Sequence, residues 1–340
     1  MTRGQRRPWF DIVPDAAQRA ARRRVGVVIG ARDPEHGEIV AAAGTTSVGG
    51  PAVTGTTLFE IGSVTKVFTA LILADEVVAG RLTLDTPLRA ALPAGVLVPV
   101  RGAEVTLGHL ATHHAGLPRA PVATVAGSIA MLRGRDPYAG LVGDDLLEVL
   151  GTTRLRRTPG TGRTSYSNTG GGLLGRALVH VTGARDYGDL VRRRICEPLG
   201  LGDTRTQREL DSDQRARLAQ GHRRGNRAAA PWPLDGLPGA GALVSTVPDL
   251  LRFAAAQVDP DTTPLAAAMR LSQTPVRRGI ALGWLLAESP EPMLWHNGGT
   301  GGFRSFLGLL PERRLGVVVL TNRARSVDLT ALRLLRTLAA

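Results

Sequence analysis

The 340 residues are 43% hydrophobic and 21% charged, a globular balance able to bury a large core in one elaborated domain or two. No run approaches the ~18 consecutive apolar residues of a membrane span, and a lone cysteine, Cys196, excludes an internal disulfide. The formal charge of +13 admits an anionic small molecule or an acidic partner such as an acyl carrier protein, but the arginine clusters are scattered and aromatics are sparse at 4%, which argues against nucleic acid.

In chain order, Pro14 to Arg24 reads as a basic helix, and no apolar run before a small-residue cleavage site marks a secretory signal, so the expected location is cytoplasmic. Arg24–Gly30 and Gly37–Ala42 read as a hairpin turning through Asp33-Pro34-Glu35-His36. A helix entered at Ser63 continues through the apolar run Val67–Ala74 and stops near Gly80; with no polar stripe before Asp75, it should be buried on all sides. From there to about residue 235 the pattern is mainly helical, and 223–241 reads as a surface loop. Thr246 then caps a helix. Residues 303–310 and 315–321 read as strands joined by Pro311–Arg314, followed by an amphipathic helix carrying Val327, Ala331, Leu334, Leu335 and Leu338. The expected organisation is a sheet domain from 1–80 and 236–340, with a helical domain, 81–235, inserted in its middle.

The basic residues single out one position. Of 42 lysines plus arginines, Lys66 is the only lysine. A guanidinium is permanently charged, whereas an amine can shift its pKa and hand over a proton. Lys66 follows Ser63 by three residues, which puts both on one helix face. If Ser63 caps that helix, its oxygen lies where free N–H groups favour an alkoxide. A second stretch, Tyr166-Ser167-Asn168, supplies a phenol whose pKa a nearby lysinium can lower, and an amide able to hold a carbonyl. A third, His296-Asn297-Gly298-Gly299, permits close approach of a ligand, with backbone N–H groups available to an oxyanion. His109 and His113 have helical metal-ligand spacing, but no acid completes a zinc signature, so no metal is expected. No cofactor is expected either: a phosphate loop fails because Thr65 precedes the lysine, and nothing supports pyridoxal phosphate on Lys66. Cys196 reads as a small buried filler.

Together these motifs resemble the serine β-lactamase and penicillin-recognising enzyme superfamily, in the branch of class C β-lactamases, D-Ala-D-Ala carboxypeptidases and related esterases. Leu110-Ala-Thr-His-His-Ala-Gly-Leu-Pro118, Pro198–Thr204, Gly239–Thr246 and Pro311–Asn322 are similar to family segments, so the resemblance spans nearly the whole chain. It implies an α+β fold: an antiparallel sheet flanked by N- and C-terminal helices, with an inserted all-helical domain. It implies Ser63 as acylated nucleophile, Lys66 and Tyr166 sharing a proton relay with the base unassigned, and Asn168, Asn297 and Gly298 contacting substrate. It further implies His296 in place of the lysine of a Lys-Thr-Gly motif, and an oxyanion hole from the N–H groups of Ser63 and Gly299. A histidine there offers less fixed charge, which favours slow acylation by β-lactams over efficient hydrolysis. The implied activity is a serine hydrolase acting on a small ester or amide, with an acyltransferase in natural-product biosynthesis and an acylated sensor without turnover as alternatives.

Overall fold

The computed structural model describes residues 7–121, 129, 130, 133, 135–142 and 144–340. Its centre is a six-stranded sheet in the order β2-β1-β9-β8-β7-β6, every pairing antiparallel. The strands are β1 (Gly26–Asp33), β2 (Gly37–Gly44), β6 (Leu285–Ala287), β7 (Met293–Gly299), β8 (Arg304–Leu310) and β9 (Leu315–Thr321). Pairing of Val27 with Thr321 through Arg32 with Gly316 joins the first strand of the chain to the last. A second, three-stranded sheet runs β3 (Phe59–Glu60), β5 (Leu243–Ser245), β4 (Arg205–Thr206).

Side-chain alternation decides which face of the large sheet each helix covers. Val27, Ile29 and Ala31 of β1 and Val317 and Val319 of β9 pack with α1 (Trp9–Ala21) and the C-terminal helix Asp328–Ala339. Val28, Leu307, Val318 and Leu320 point the other way, into a cluster that takes in α2 (Thr65–Val78) and the helix Val247–Val258. This cluster continues without a break into α3 (Leu107–Ala111), α4 (Asp145–Thr152) and α5 (Asn168–Thr182). Residues 81–235 therefore share their core with the sheet.

The α+β architecture expected from the sequence is the one observed. Three local readings change. The first helix spans Trp9–Ala21 rather than 14–24, because Trp9, Ile12, Val13, Ala16, Ala17 and Ala20 form a stripe that buries against the sheet and carries Pro14 within the helix. The segment 223–241 is not a surface loop throughout: Trp232, Leu234, Leu237 and Ala240 are buried, and the Glu60 carboxylate accepts from the Trp232 N–H at 2.9 Å. The glycine-rich stretch after Trp295 is strand β7 as far as Gly299, and only then a turn. Thr246 caps its helix by accepting from Asp249 N. Among the described residues no helix is long and apolar enough to cross a membrane.

Candidate active site

β3 enters the site and must turn sharply into α2. Gly62 makes the turn at φ +49°, a region that penalises any side chain, and Gly62–Val64 forms a 3-10 turn before the helix proper starts at Thr65. Ser63 therefore sits one turn ahead of α2, and no side-chain capping bond is made there, which corrects the expectation of a serine N-cap. The spacing to Lys66 still works: Lys66 Nζ lies 3.2 Å from Ser63 Oγ.

Lys66 is 3% exposed, in a helix whose residues from Thr65 to Ala74 are all buried. Burial, with a smaller contribution from the Arg119 charge, pulls its amine down from 10.5 to about 7. Lys66 Nζ donates to the Ala240 carbonyl at 2.7 Å and to Asn168 Oδ1 at 3.0 Å. A neutral amine has two N–H bonds and one lone pair, so these acceptors use both hydrogens and leave the lone pair for Ser63 Oγ–H. Leu243 N donates to Thr65 Oγ1 at 3.2 Å and Thr69 Oγ1 donates to Gly239 O at 2.9 Å, which fixes the Ala240 carbonyl over the amine. On the far side α5 comes close because Gly171 lacks a side chain: a Cβ there would lie 3.0 Å from Lys66 Cε.

The start of α5 delivers the second motif. Ser167 caps the helix by accepting from Gly170 N, and Asn168 Nδ2 donates to Tyr138 Oη at 3.0 Å, fixing the amide so that its oxygen faces Lys66. The Tyr166 ring lies beneath Lys66 Nζ, 4.9 Å from its centroid, with the Arg119 guanidinium carbon at 5.3 Å. Burial pushes the Tyr166 phenol up to about 12, with Ser63 the hydrogen-bonding neighbour pulling it back. The His113 ring lies tilted against Tyr166, 4.4 Å between centroids, and its Nδ1 accepts from Ser167 N, so its proton sits on Nε2. Burial, then Lys66, holds His113 well below the usual imidazole range.

His296 projects from β7 towards the same phenol, 6.2 Å between ring centroids. Its Nδ1 lies 2.6 Å from the Asn297 carbonyl, which can only accept, so Nε2 is the unprotonated nitrogen. Burial, then Lys66, lowers the ring to about 3, and it stays neutral in ordinary buffers. β6 pairs with β7 only from Met293 to Trp295, so among the described residues the outer edge of β7 from His296 to Gly299 has no strand beside it and faces the Ser63 turn. The approach is tight. A Cβ on Gly62 would lie 2.7 Å from Gly299 N, and one on Gly298 would lie 1.9 Å from Ile61 O, which already accepts from Ser305 Oγ at 2.7 Å. Ser63, Lys66, Tyr166, Asn168, His296, Gly298 and Gly299 thus converge. Asn297 does not: strand alternation turns it to the opposite face, where Nδ2 donates to Asp328 at 2.9 Å.

Comparison with known proteins fits this constellation. The family model described as Beta-lactamase matches residues 15–340. The chain belongs to the β-lactamase family. Among its relatives, penicillin-binding protein 4 of Amycolatopsis lactamdurans is 32% identical, covering 80% of this chain and 74% of that protein. The D-alanyl-D-alanine-carboxypeptidase/endopeptidase AmpH of Escherichia coli K12 is 26% identical over 78% of this chain and 71% of its own. The crystal structure of the class C β-lactamase from Rhodobacter sphaeroides superposes with a TM-score of 0.79 at 26% identity, covering 97% of this chain and all of that one. The relatives named for an activity are hydrolases, so this is a member of a hydrolase family.

Against this β-lactamase-family site, the sequence reading missed three contributors. Ala240 acts through its carbonyl and has no side-chain signature. Tyr138, which orients Asn168, lies 30 residues upstream in a stretch without periodicity. His113 was read with His109 as a metal-spaced pair, but its φ of +60° takes it off the helix and onto Tyr166, while His109 caps α3 with Thr106. Cys196 is buried with its thiol pushed up to about 12 by burial.

Proposed function

We propose that the protein is a serine hydrolase that cleaves a small ester or amide through an acyl intermediate on Ser63 Oγ. The observation that carries the reading is the set of Lys66 partners: a buried amine, lowered to about 7, within hydrogen-bond distance of Ala240 O, Asn168 Oδ1 and Ser63 Oγ, which in its neutral form donates to the first two and turns its lone pair to Ser63. In this mechanism Lys66 takes the Ser63 proton as Oγ attacks the substrate carbonyl carbon. The oxyanion is held by the N–H groups of Ser63 and Gly299. Tyr166, pushed up to about 12, acts as proton donor to the leaving group rather than as tyrosinate base. The Lys66 ammonium then returns a proton to the Tyr166 phenolate; water attacks the acyl ester as Lys66 takes its proton, Tyr166 protonates Ser63 Oγ as it leaves, and Lys66 restores the Tyr166 proton. Asn168 holds both the amine and the substrate carbonyl side of the pocket.

Two features support an ester or small amide over rapid β-lactam turnover. His296 is neutral, so it brings no fixed charge to a β-lactam carboxylate, and Asn297 faces away. The test is intact mass after mixing with p-nitrophenyl acetate and with a fluorescent penicillin. An acetyl adduct that forms with a burst of nitrophenol and decays is the expected result. No adduct, or the same adduct on Ser63→Ala, refutes the nucleophile. Decay only on adding an amine or alcohol makes the protein a transferase, and an adduct that never decays makes it a sensor.

A further inference from the structure

No carboxylate figures among the charges acting on Lys66, Tyr166, His113 or His296, and burial keeps the two imidazoles neutral. Among the described residues no carboxylate therefore offsets charge inside the site. Arg119 differs. It is exposed, permanently charged, and lies across the Tyr166 ring with its guanidinium carbon 5.3 Å from the centroid. Its backbone is not free to drift: Arg119 O accepts from Asn168 N at 2.8 Å, beside the amide that holds Lys66. Among the described residues Arg119 makes no ion pair. Other arginines do: Arg217 makes a two-pronged pair with Asp203, and Arg192 and Arg193 both reach Asp189. A planar fork parked on an aromatic face at the site mouth, whose donors meet no acceptor among the described residues, is the arrangement that receives a carboxylate in two parallel bonds.

We infer that Arg119 selects substrates carrying a carboxylate, binding it at the mouth of the cleft while the reacting carbonyl lies at Ser63. The substrate class is an anionic ester or amide, with the carboxylate on either the acyl chain or the leaving group. The inference takes its substrate from the acyl-Ser63 reading, but its geometry stands on Arg119, Tyr166 and Asn168 alone. The net charge of +13 acts in the same direction by drawing anions towards the protein.

Two ester pairs distinguish the sources: p-nitrophenyl monoadipate against p-nitrophenyl hexanoate for the acyl side, and 3-acetoxybenzoate against 3-tolyl acetate for the leaving-group side. In Arg119→Gln the anionic-to-neutral ratio of kcat/KM should fall about tenfold in at least one pair, mostly through KM, and Arg119→Lys should recover most of it. Raising ionic strength from 0.05 to 0.5 M should shrink the wild-type ratio and not that of Arg119→Gln. Calorimetric binding of adipic acid monoanilide to Ser63→Ala, with and without Arg119→Gln, reads the same contact without acylation and should weaken about tenfold. Ratios within twofold in both pairs, or equal monoanilide binding beside a ratio that falls only in the acyl-side pair, overturn the role of Arg119. Failure of every ester to acylate Ser63, with monoanilide binding still dependent on Arg119, overturns the chemistry and leaves the carboxylate site standing.

Discussion

Replacing Lys66 by methionine keeps the volume of the side chain and removes its titration. In the folded chain the amine loses its proton at about 7, against 10.5 for an exposed lysine. At 1.36 kcal/mol per pH unit, that gap makes the buried ammonium cost about 5 kcal/mol at pH below 7. The sign follows from proton counts. Between pH 7 and 10.5 the unfolded chain holds the Lys66 proton and the folded chain does not, so raising the pH through this window stabilises the wild type; below 7 both states hold it and the penalty is constant. Lys66→Met leaves Asn168 Oδ1 and Ala240 O without their donor, a loss of about 1–3 kcal/mol each that does not vary with pH. The stability of Lys66→Met minus that of wild type should therefore fall by about 2–3 kcal/mol from pH 7.5 to 9.5. Urea unfolding of both proteins at pH 6, 7.5 and 9.5 measures it. A difference flat to within about 0.5 kcal/mol would mean that Lys66 keeps an ordinary pKa and would remove the reason to assign it as base.

The remaining predictions use the same geometry. Acylation by a neutral ester should rise about tenfold per pH unit up to 7 and level off above it, with no imidazole inflection because His296 stays neutral down to about 3; an inflection near 10.5 would give Lys66 an ordinary pKa, and one near 12 would move the base to Tyr166. Tyr166→Phe should lower kcat by about 10²- to 10⁴-fold with KM little changed, and equal losses for amides and activated nitrophenyl esters would argue against its protonating the leaving group. Gly298→Ala puts a Cβ 1.9 Å from Ile61 O, so the Ser63 turn must move and acylation should drop about 100-fold; unimpaired acylation would show that β7 need not touch the turn. Asn297→Ala should cost about 1 kcal/mol in urea unfolding through its lost Asp328 bond and change kcat/KM by less than about threefold, and a large kinetic loss would return Asn297 to the substrate pocket.

What was legible in the chain was the chemistry borne by side chains at fixed spacing. Ser63 and Lys66 meet because residues three apart share a helical face, even though the first turn is a 3-10 turn. Asn168 and Tyr166 were found by their chemistry, an amide and a phenol two positions apart; the helix start at Asn168 that fixes where they point is seen only in the structure. The errors have physical causes as well. Beginning the strands only at residue 303 hid the two-residue alternation that separates His296 from Asn297; read as a strand, His296–Gly299 predicts that only one of them can face Ser63. The Pro- and Gly-rich segment before Leu243 reads as exposed by composition, yet it is buried because Thr65 and Thr69 of α2 and Glu60 of β3 satisfy its backbone polar groups. A carbonyl such as Ala240 O leaves no trace in residue identity.

The composition that first singled out Lys66 acquires a sharper meaning from the electrostatics. Lys66, His113 and His296 lose protons to burial, and Lys66 depresses both imidazoles, so a second proton in this cluster is opposed by the first. The set can hold one mobile proton near neutral pH, and Lys66 is the member that titrates there. An arginine in its place would keep its proton and make the cluster permanently cationic, with no lone pair for Ser63. The mouth has the opposite requirement, because a charge that must stay fixed while a substrate anion arrives is better carried by a group that cannot titrate. The cleft thus places its amine where a proton moves and its guanidinium, Arg119, where one must not, and exchanging the two residue types should abolish acylation at the first position while sparing charge selection at the second.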